Sequence, residues 1–100
     1  MKYLVSKLNR AFESRVRLGI MSVLMVNEKL DFSSLKELTG TTDGNLSSHL
    51  ASLEREGFVK VVKQFVQRKP RSVYSATVAG KKAFREHLDL LEQLIKGQGS

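Results

Sequence analysis

The stretch Gly44-Asn45-Leu46-Ser47-Ser48-His49-Leu50-Ala51-Ser52-Leu53-Glu54-Arg55-Glu56-Gly57-Phe58-Val59 decides how this chain is read. Leu46, Leu50 and Leu53 recur at i, i+4 and i+7, which puts them on one side of an α-helix. That side must face a core. Opposite it fall Gly44, Ser48, Ala51 and Arg55, flanked by Asn45, Ser47 and Ser52. The spacing predicts a helix from about Asp43 to Glu56, stopped by Gly57, a residue that accepts the left-handed backbone after a helix end. At Phe58 the period changes. Phe58, Val59, Val61, Val62, Phe65 and Val66, with Lys60, Lys63 and Gln64 interleaved, read as a β-strand.

Upstream of this stretch, Ser33-Ser34-Leu35-Lys36-Glu37 opens a short helix with serine as its N-cap. Ser34 and Glu37 stand at the spacing of a capping box. Gly40 ends that helix, and Thr41-Thr42-Asp43 offers a fresh N-cap, for which Asp43 is suited. Two helices joined by so short a glycine-containing turn form a helix-turn-helix. Further upstream, Leu8 to Val26 is helical in period, with a break expected at Glu13-Ser14. Residues 16–26 are too densely apolar for a single face, so this helix is the expected centre of the core, with Met21 and Met25 filling gaps. Asn27-Glu28-Lys29 reads as a loop and Leu30-Asp31-Phe32 as a very short strand. Downstream, Gln67-Arg68-Lys69-Pro70-Arg71 is a polar tip and Ser72 to Ala76 a returning strand. Thr77 then caps a last helix over Val78 to Lys96. The expected fold is mostly α with a small β-hairpin, one domain over residues 1–96 and a flexible tail over 97–100.

The 100 residues carry 17 Lys+Arg against 10 Asp+Glu, a net charge of +7. Divided along the chain, residues 1–27 carry +4, 28–56 carry −3, 57–85 carry +8 and 86–100 carry −2. The positive charge therefore gathers in and after the hairpin, which implies an acidic partner. There is no cysteine, so disulfides, thiolate metal sites and cysteine nucleophiles are excluded together, and a reducing, cytoplasmic setting is expected. No apolar run approaches the roughly 18 residues needed to cross a bilayer. Charge at Lys7 and Arg10 interrupts the opening segment, so no secretory signal is expected. The acids are scattered, and neither His49 nor His87 has an acidic or nucleophilic set beside it in sequence. Catalysis is not expected, nor are a bound metal or a cofactor.

The outer face of the helix over 43–56 is small, polar and nearly uncharged. Small residues allow close approach to base edges, and Ser and Asn match the donors and acceptors there. The candidate contacts on this element are Thr42, Gly44, Asn45, Ser47, Ser48, His49 and Arg55. His49 projects about 60° from the leucine stripe; its readings are a structural hydrogen bond or a phosphate contact.

The quoted stretch, with its small polar residues, then Ser48-His49-Leu50, then Leu53-Glu54 and Gly57-Phe58-Val59, resembles the recognition helix and first wing strand of ArsR/MarR-type winged-helix regulators. Ser14-Arg15-Val16-Arg17-Leu18-Gly19-Ile20 is similar to that family's first long helix. Phe32-Ser33-Ser34-Leu35-Lys36-Glu37-Leu38 resembles its second, and Tyr74 to Phe84 its junction after the wing. The four pieces lie in register over roughly residues 8–95.

The resemblance implies a dimeric regulator, a repressor by expectation, that binds double-stranded DNA with the helix over 43–56 in the major groove. The wing cations Lys63, Arg68, Lys69 and Arg71 are then expected on phosphates or in the minor groove. The last helix is apolar over a wider arc than one core contact needs. Leu88, Leu91, Leu94 and Ile95, with Leu4 and Leu8, are therefore the expected homodimer interface, and the expected operator is an imperfect inverted repeat. Metal-sensing members carry cysteines or clustered histidines and acids; this chain does not. No effector site is legible. The alternative function is a winged helix for protein contact or nonspecific nucleic-acid binding.

Overall fold

Side-chain caps fix where every helix after the first begins. A computed structural model describes residues 2–97. Helix α1 spans Lys2–Ser6, a 3-10 turn follows at Arg10–Phe12, and α2 spans Arg15–Val26. Ser14 caps α2 by accepting from Arg17 N at 3.3 Å, so the break expected at Glu13-Ser14 is there. The first turns are not one helix but α1 and the 3-10 turn, the latter capped by Asn9. Strand β1 is Leu30–Asp31, and α3, Phe32–Thr39, follows it directly. Its cap is not a serine. Asp31 Oδ1 accepts from Ser34 N at 2.8 Å, so Ser34 lies inside the helix and the Ser34–Glu37 capping box does not form. Gly40 ends α3 at φ 66°, in the left-handed region. Helix α4, Asp43–Arg55, is capped by Thr42 rather than Asp43; the Asp43 carboxylate instead meets Lys36 Nζ at 2.9 Å.

Strand β2, Val59–Val66, and strand β3, Lys69–Ala76, pair antiparallel, from Val59 opposite Ala76 to Val66 opposite Lys69. The two residues of β1 add to the far side of β3, opposite Tyr74 and Val73, giving the sheet order β1-β3-β2. The expected five-residue tip is therefore two residues long, Gln67 and Arg68, both at positive φ. Lys69, Pro70 and Arg71 belong to β3. Pro70 is tolerated there because β1 reaches only Val73 and Tyr74, so its missing N–H costs no ladder bond on that side.

Helix α5 spans Val78–Lys96, as expected, with Thr77 as its cap. It starts tight against the chain: a Cβ on Gly80 would lie 2.1 Å from the Phe58 carbonyl oxygen, so only glycine fits. Of the expected tail, residues 98–100 lie outside the described residues.

One core joins these elements. Ile20, Met21 and Leu24 of α2 meet Leu35 of α3, Leu46, Leu50 and Leu53 of α4, and Val59 of β2. Phe12 closes it, stacked on Phe58 at 5.5 Å between ring centres and edge-on to Phe84 at 5.1 Å. The core thus holds α4 by its leucine side and leaves the opposite side outward. Two parts project from it: the outer hairpin and the second half of α5. The Cα radius of gyration is accordingly 15.1 Å, against about 13 Å for a compact chain of this length.

Candidate nucleic-acid interface

The side of α4 turned away from the core is open. Gly44, Asn45, Ser47, Ser48 and Arg55 are exposed and Ala51 half-buried. Thr42 is exposed too, but its hydroxyl oxygen accepts from Asn45 N at 3.2 Å, so part of its capacity serves the helix. This face brings Thr42, Gly44, Asn45, Ser47, Ser48 and Arg55 together.

The hairpin flanks α4 on one side. Lys63 shares an open cavity with Ser47, Ala51 and Glu54. Side chains alternate across a strand, and directly paired residues share a face. The register therefore places Lys63 with Ser72, Phe65 and Pro70 on the α4 side, and Lys69 and Arg71 with Gln64 and Val66 on the other. The four cations expected to act together are split between two faces, with Arg68 at the tip between them. Arg71 is further withdrawn: its Nη2 donates to Asp31 Oδ2. This ion pair ties the hairpin to the start of α3. The Ser34 backbone N–H, then the Ser34 hydroxyl and Arg71, hold the Asp31 carboxyl below the usual range, at about 2.

His49 sits half-buried at the edge of α4. Arg17 Nη1 lies 3.1 Å from its Nδ1. A guanidinium only donates, so Nδ1 accepts and the ring proton is on Nε2. Burial, and then the Arg17 charge, push the His49 pKa down. The histidine is thus neutral, with an Nε2–H donor to offer. His87 follows the same plan: it is buried, and its Nδ1 accepts from Asn9 N at 3.2 Å.

Arg10 and Arg17 are not among the contact residues that the sequence pattern points to. The structure brings both beside Arg55 and Ser52 around an open cavity of about 210 Å³, on the flank of α4 away from the hairpin. The +4 charge of residues 1–27 was the available signal, but nothing in the spacing joins Arg10 to a residue 45 positions on. The expected dimer residues lie elsewhere. Leu4, Leu8, Leu91 and Leu94 are half-buried, while Leu88 and Ile95 are 43% and 81% exposed.

The chain matches the family model described as "Winged helix DNA-binding domain" over residues 16–95. The chain belongs to the winged-helix DNA-binding domain family. It is 36% identical to the uncharacterized protein MJ0432 of Methanocaldococcus jannaschii over 87 residues, 87% of this chain and 95% of that one. It is similar to a solved transcriptional regulator homologue from Pyrococcus horikoshii, with 35% identity, 96% of this chain and 93% of that one covered, and a TM-score of 0.85. A MarR-family regulator from Silicibacter pomeroyi has the same fold at 18% identity, with a TM-score of 0.66 over 97% of this chain and 67% of that one. The MarR-like resemblance is borne out. In winged-helix terms, α3, the Gly40 turn and α4 are the helix-turn-helix, and the β2–β3 hairpin is the wing. The two solved structures are named as a transcriptional regulator homologue and a MarR-family transcriptional regulator. Among the described residues no helix is long and apolar enough to cross a membrane.

Proposed function

We propose that this winged helix is a sequence-specific, double-stranded DNA-binding transcriptional repressor acting as a homodimer, with residues 1–96 as one unit. One observation carries the reading: the exposed face of α4 is small and polar, while cations stand on its flanks. A reader of sequence needs this division, since phosphate contacts position a protein and base contacts specify. Helix α4 enters the major groove, where Thr42, Gly44, Asn45, Ser47 and Ser48 meet base edges. Arg68 at the wing tip and Lys63 on its inner face take phosphates or the minor groove. Lys69 grips from the outer face, and Arg71 serves first as the wing's anchor. His49 contributes through Nε2–H.

The dimer rests on α5. Its last buried residue is His87, and beyond it Leu88, Leu91, Leu94 and Ile95 continue away from the core beside α1. Two-fold pairing there sets the reading helices about 34 Å apart, one turn of DNA. An inverted repeat follows from that symmetry. The test is competition of a random duplex against a fragment from the region upstream of the protein's own gene. Preference for the fragment supports the reading; equal affinity contradicts it. A dimer neutralising about six phosphates also gives log K against log[salt] a slope near −5.

A further inference from the structure

We infer that Arg10, Arg17 and Arg55 form a second phosphate-binding station, on the flank of the recognition helix opposite the wing, which grips the backbone of bound DNA. This rests on the DNA-binding reading and deepens it.

The three arginines come from three elements: the 3-10 turn, the first turn of α2 and the last residue of α4. They converge with Ser52 and one acid, Glu56, on a single open cavity. None of the three is in an ion pair with a carboxylate among the described residues; the ion pairs there are Lys36–Asp43, Asp31–Arg71 and Lys96–Glu92. Three guanidiniums gathered beside one carboxylate leave an excess of positive charge that an oxyanion would neutralise.

The group is also pre-positioned. Arg17 Nε donates to Ala11 O at 2.6 Å while Nη1 donates to His49, which fixes the plane of the fork. Arg55 Nη2 donates to Ser52 Oγ at 3.1 Å. The remaining N–H groups and the His49 Nε2–H are the donors a phosphate oxygen would use. Around α4, Ser52, and His49 through its contact with Arg17, lie on one flank of the outer face, and Ser47 and Ala51, beside Lys63 of the wing, on the other. A helix seated in a major groove about 12 Å wide meets phosphates along both walls. The wing supplies cations for one wall, and this cluster supplies them for the other.

The experiment is fluorescence anisotropy with a labelled random-sequence duplex between 50 and 200 mM salt. It compares wild type with Arg10→Ala, Arg55→Ala, their double variant and the wing variant Arg68→Ala/Lys69→Ala, each checked for an unchanged thermal melt. Arg17 is left intact because its bonds to Ala11 and His49 are structural. The double variant is expected to lose about tenfold or more in affinity on every sequence, and to lower the salt slope by about 1 for each contact removed. Its effect should add to that of the wing variant. Unchanged affinity and slope in the double variant, beside a clear loss in the wing variant, would overturn the inference. So would the case in which millimolar inorganic phosphate raises the melting temperature through Arg10 and Arg55 while the duplex slope stays put, because the cavity then serves a free anion. Absence of duplex binding by the wild type sinks the DNA-binding reading itself, and is seen before any variant is made.

Discussion

Asp31 takes Ser34 N on one carboxylate oxygen and the guanidinium of Arg71 on the other. One side chain therefore starts α3 and anchors the wing. Its carboxyl is fully ionised above the ordinary value of 3.8, and its stabilisation is lost as pH falls toward about 2. Asp31→Ala removes both functions and should cost about 1–2 kcal/mol in denaturant melts. Asp31→Asn keeps the capping oxygen, so its stability should lie nearer the wild type. Arg71 is then released and a negative charge removed, so random-duplex affinity at low salt should rise. A fall in affinity would mean that the anchored wing matters more than the freed cation.

Arg68 stands at φ 67° beside Gln67 at φ 53° in the two-residue wing turn. Such turns favour Asn-Gly, and a non-glycine residue in left-handed backbone costs about 1–2 kcal/mol. Arg68→Gly should therefore hold or raise the melting temperature while weakening duplex binding about tenfold. Opposite signs mark a residue kept for contact rather than for folding. If both quantities fall together, the tip has no such role.

His49 and His87 are both held neutral, with burial the larger cause in each. A base whose native pKa lies below its unfolded value makes folding favourable at high pH. That contribution shrinks as pH falls below 6.5, the ordinary histidine value. This window lies well above the one set by Asp31. Thermal melts from pH 8 to 5 should show the melting temperature falling below about pH 6.5. His49→Gln and His87→Gln should each flatten the slope while lowering the plateau. A wild-type curve flat down to pH 5 would contradict the assigned neutral states.

Ile95 and Leu88 project from the half of α5 that lies beyond the core. Sedimentation at micromolar concentration should give twice the 11.2 kDa of one chain. Leu91→Lys/Ile95→Lys should sediment as one chain and lose about tenfold or more in duplex affinity, because two linked half-sites bind with avidity. A wild type that sediments as a monomer removes the dimer.

Most of the architecture is local, which is why it is legible in the chain. The stripe of Leu46, Leu50 and Leu53, the glycines at 40 and 57 with positive φ, and the Thr77 cap each act within a few residues of themselves. What sequence reading gets wrong is set by partners brought from afar. Two serines hide the Asp31 cap because β1 runs straight into α3, leaving no loop to mark the junction. Pro70 looks like a turn residue, but the strand beside it is too short to need its N–H. The wing cations look like one patch until the β2–β3 register sends Lys63 to one face and Lys69 and Arg71 to the other. The cluster of Arg10, Arg17 and Arg55 exists only once α2 packs on α4.

In the proposed function, α4 reads duplex DNA as part of a two-fold dimer. Selecting bound sequences from a random duplex pool tests it most directly. An imperfect inverted repeat with half-site centres about 10–10.5 base pairs apart should be enriched, and the enrichment lost when Asn45, Ser47 and Ser48 are replaced by alanine. A pool that binds with salt dependence yet shows no enriched sequence would contradict it.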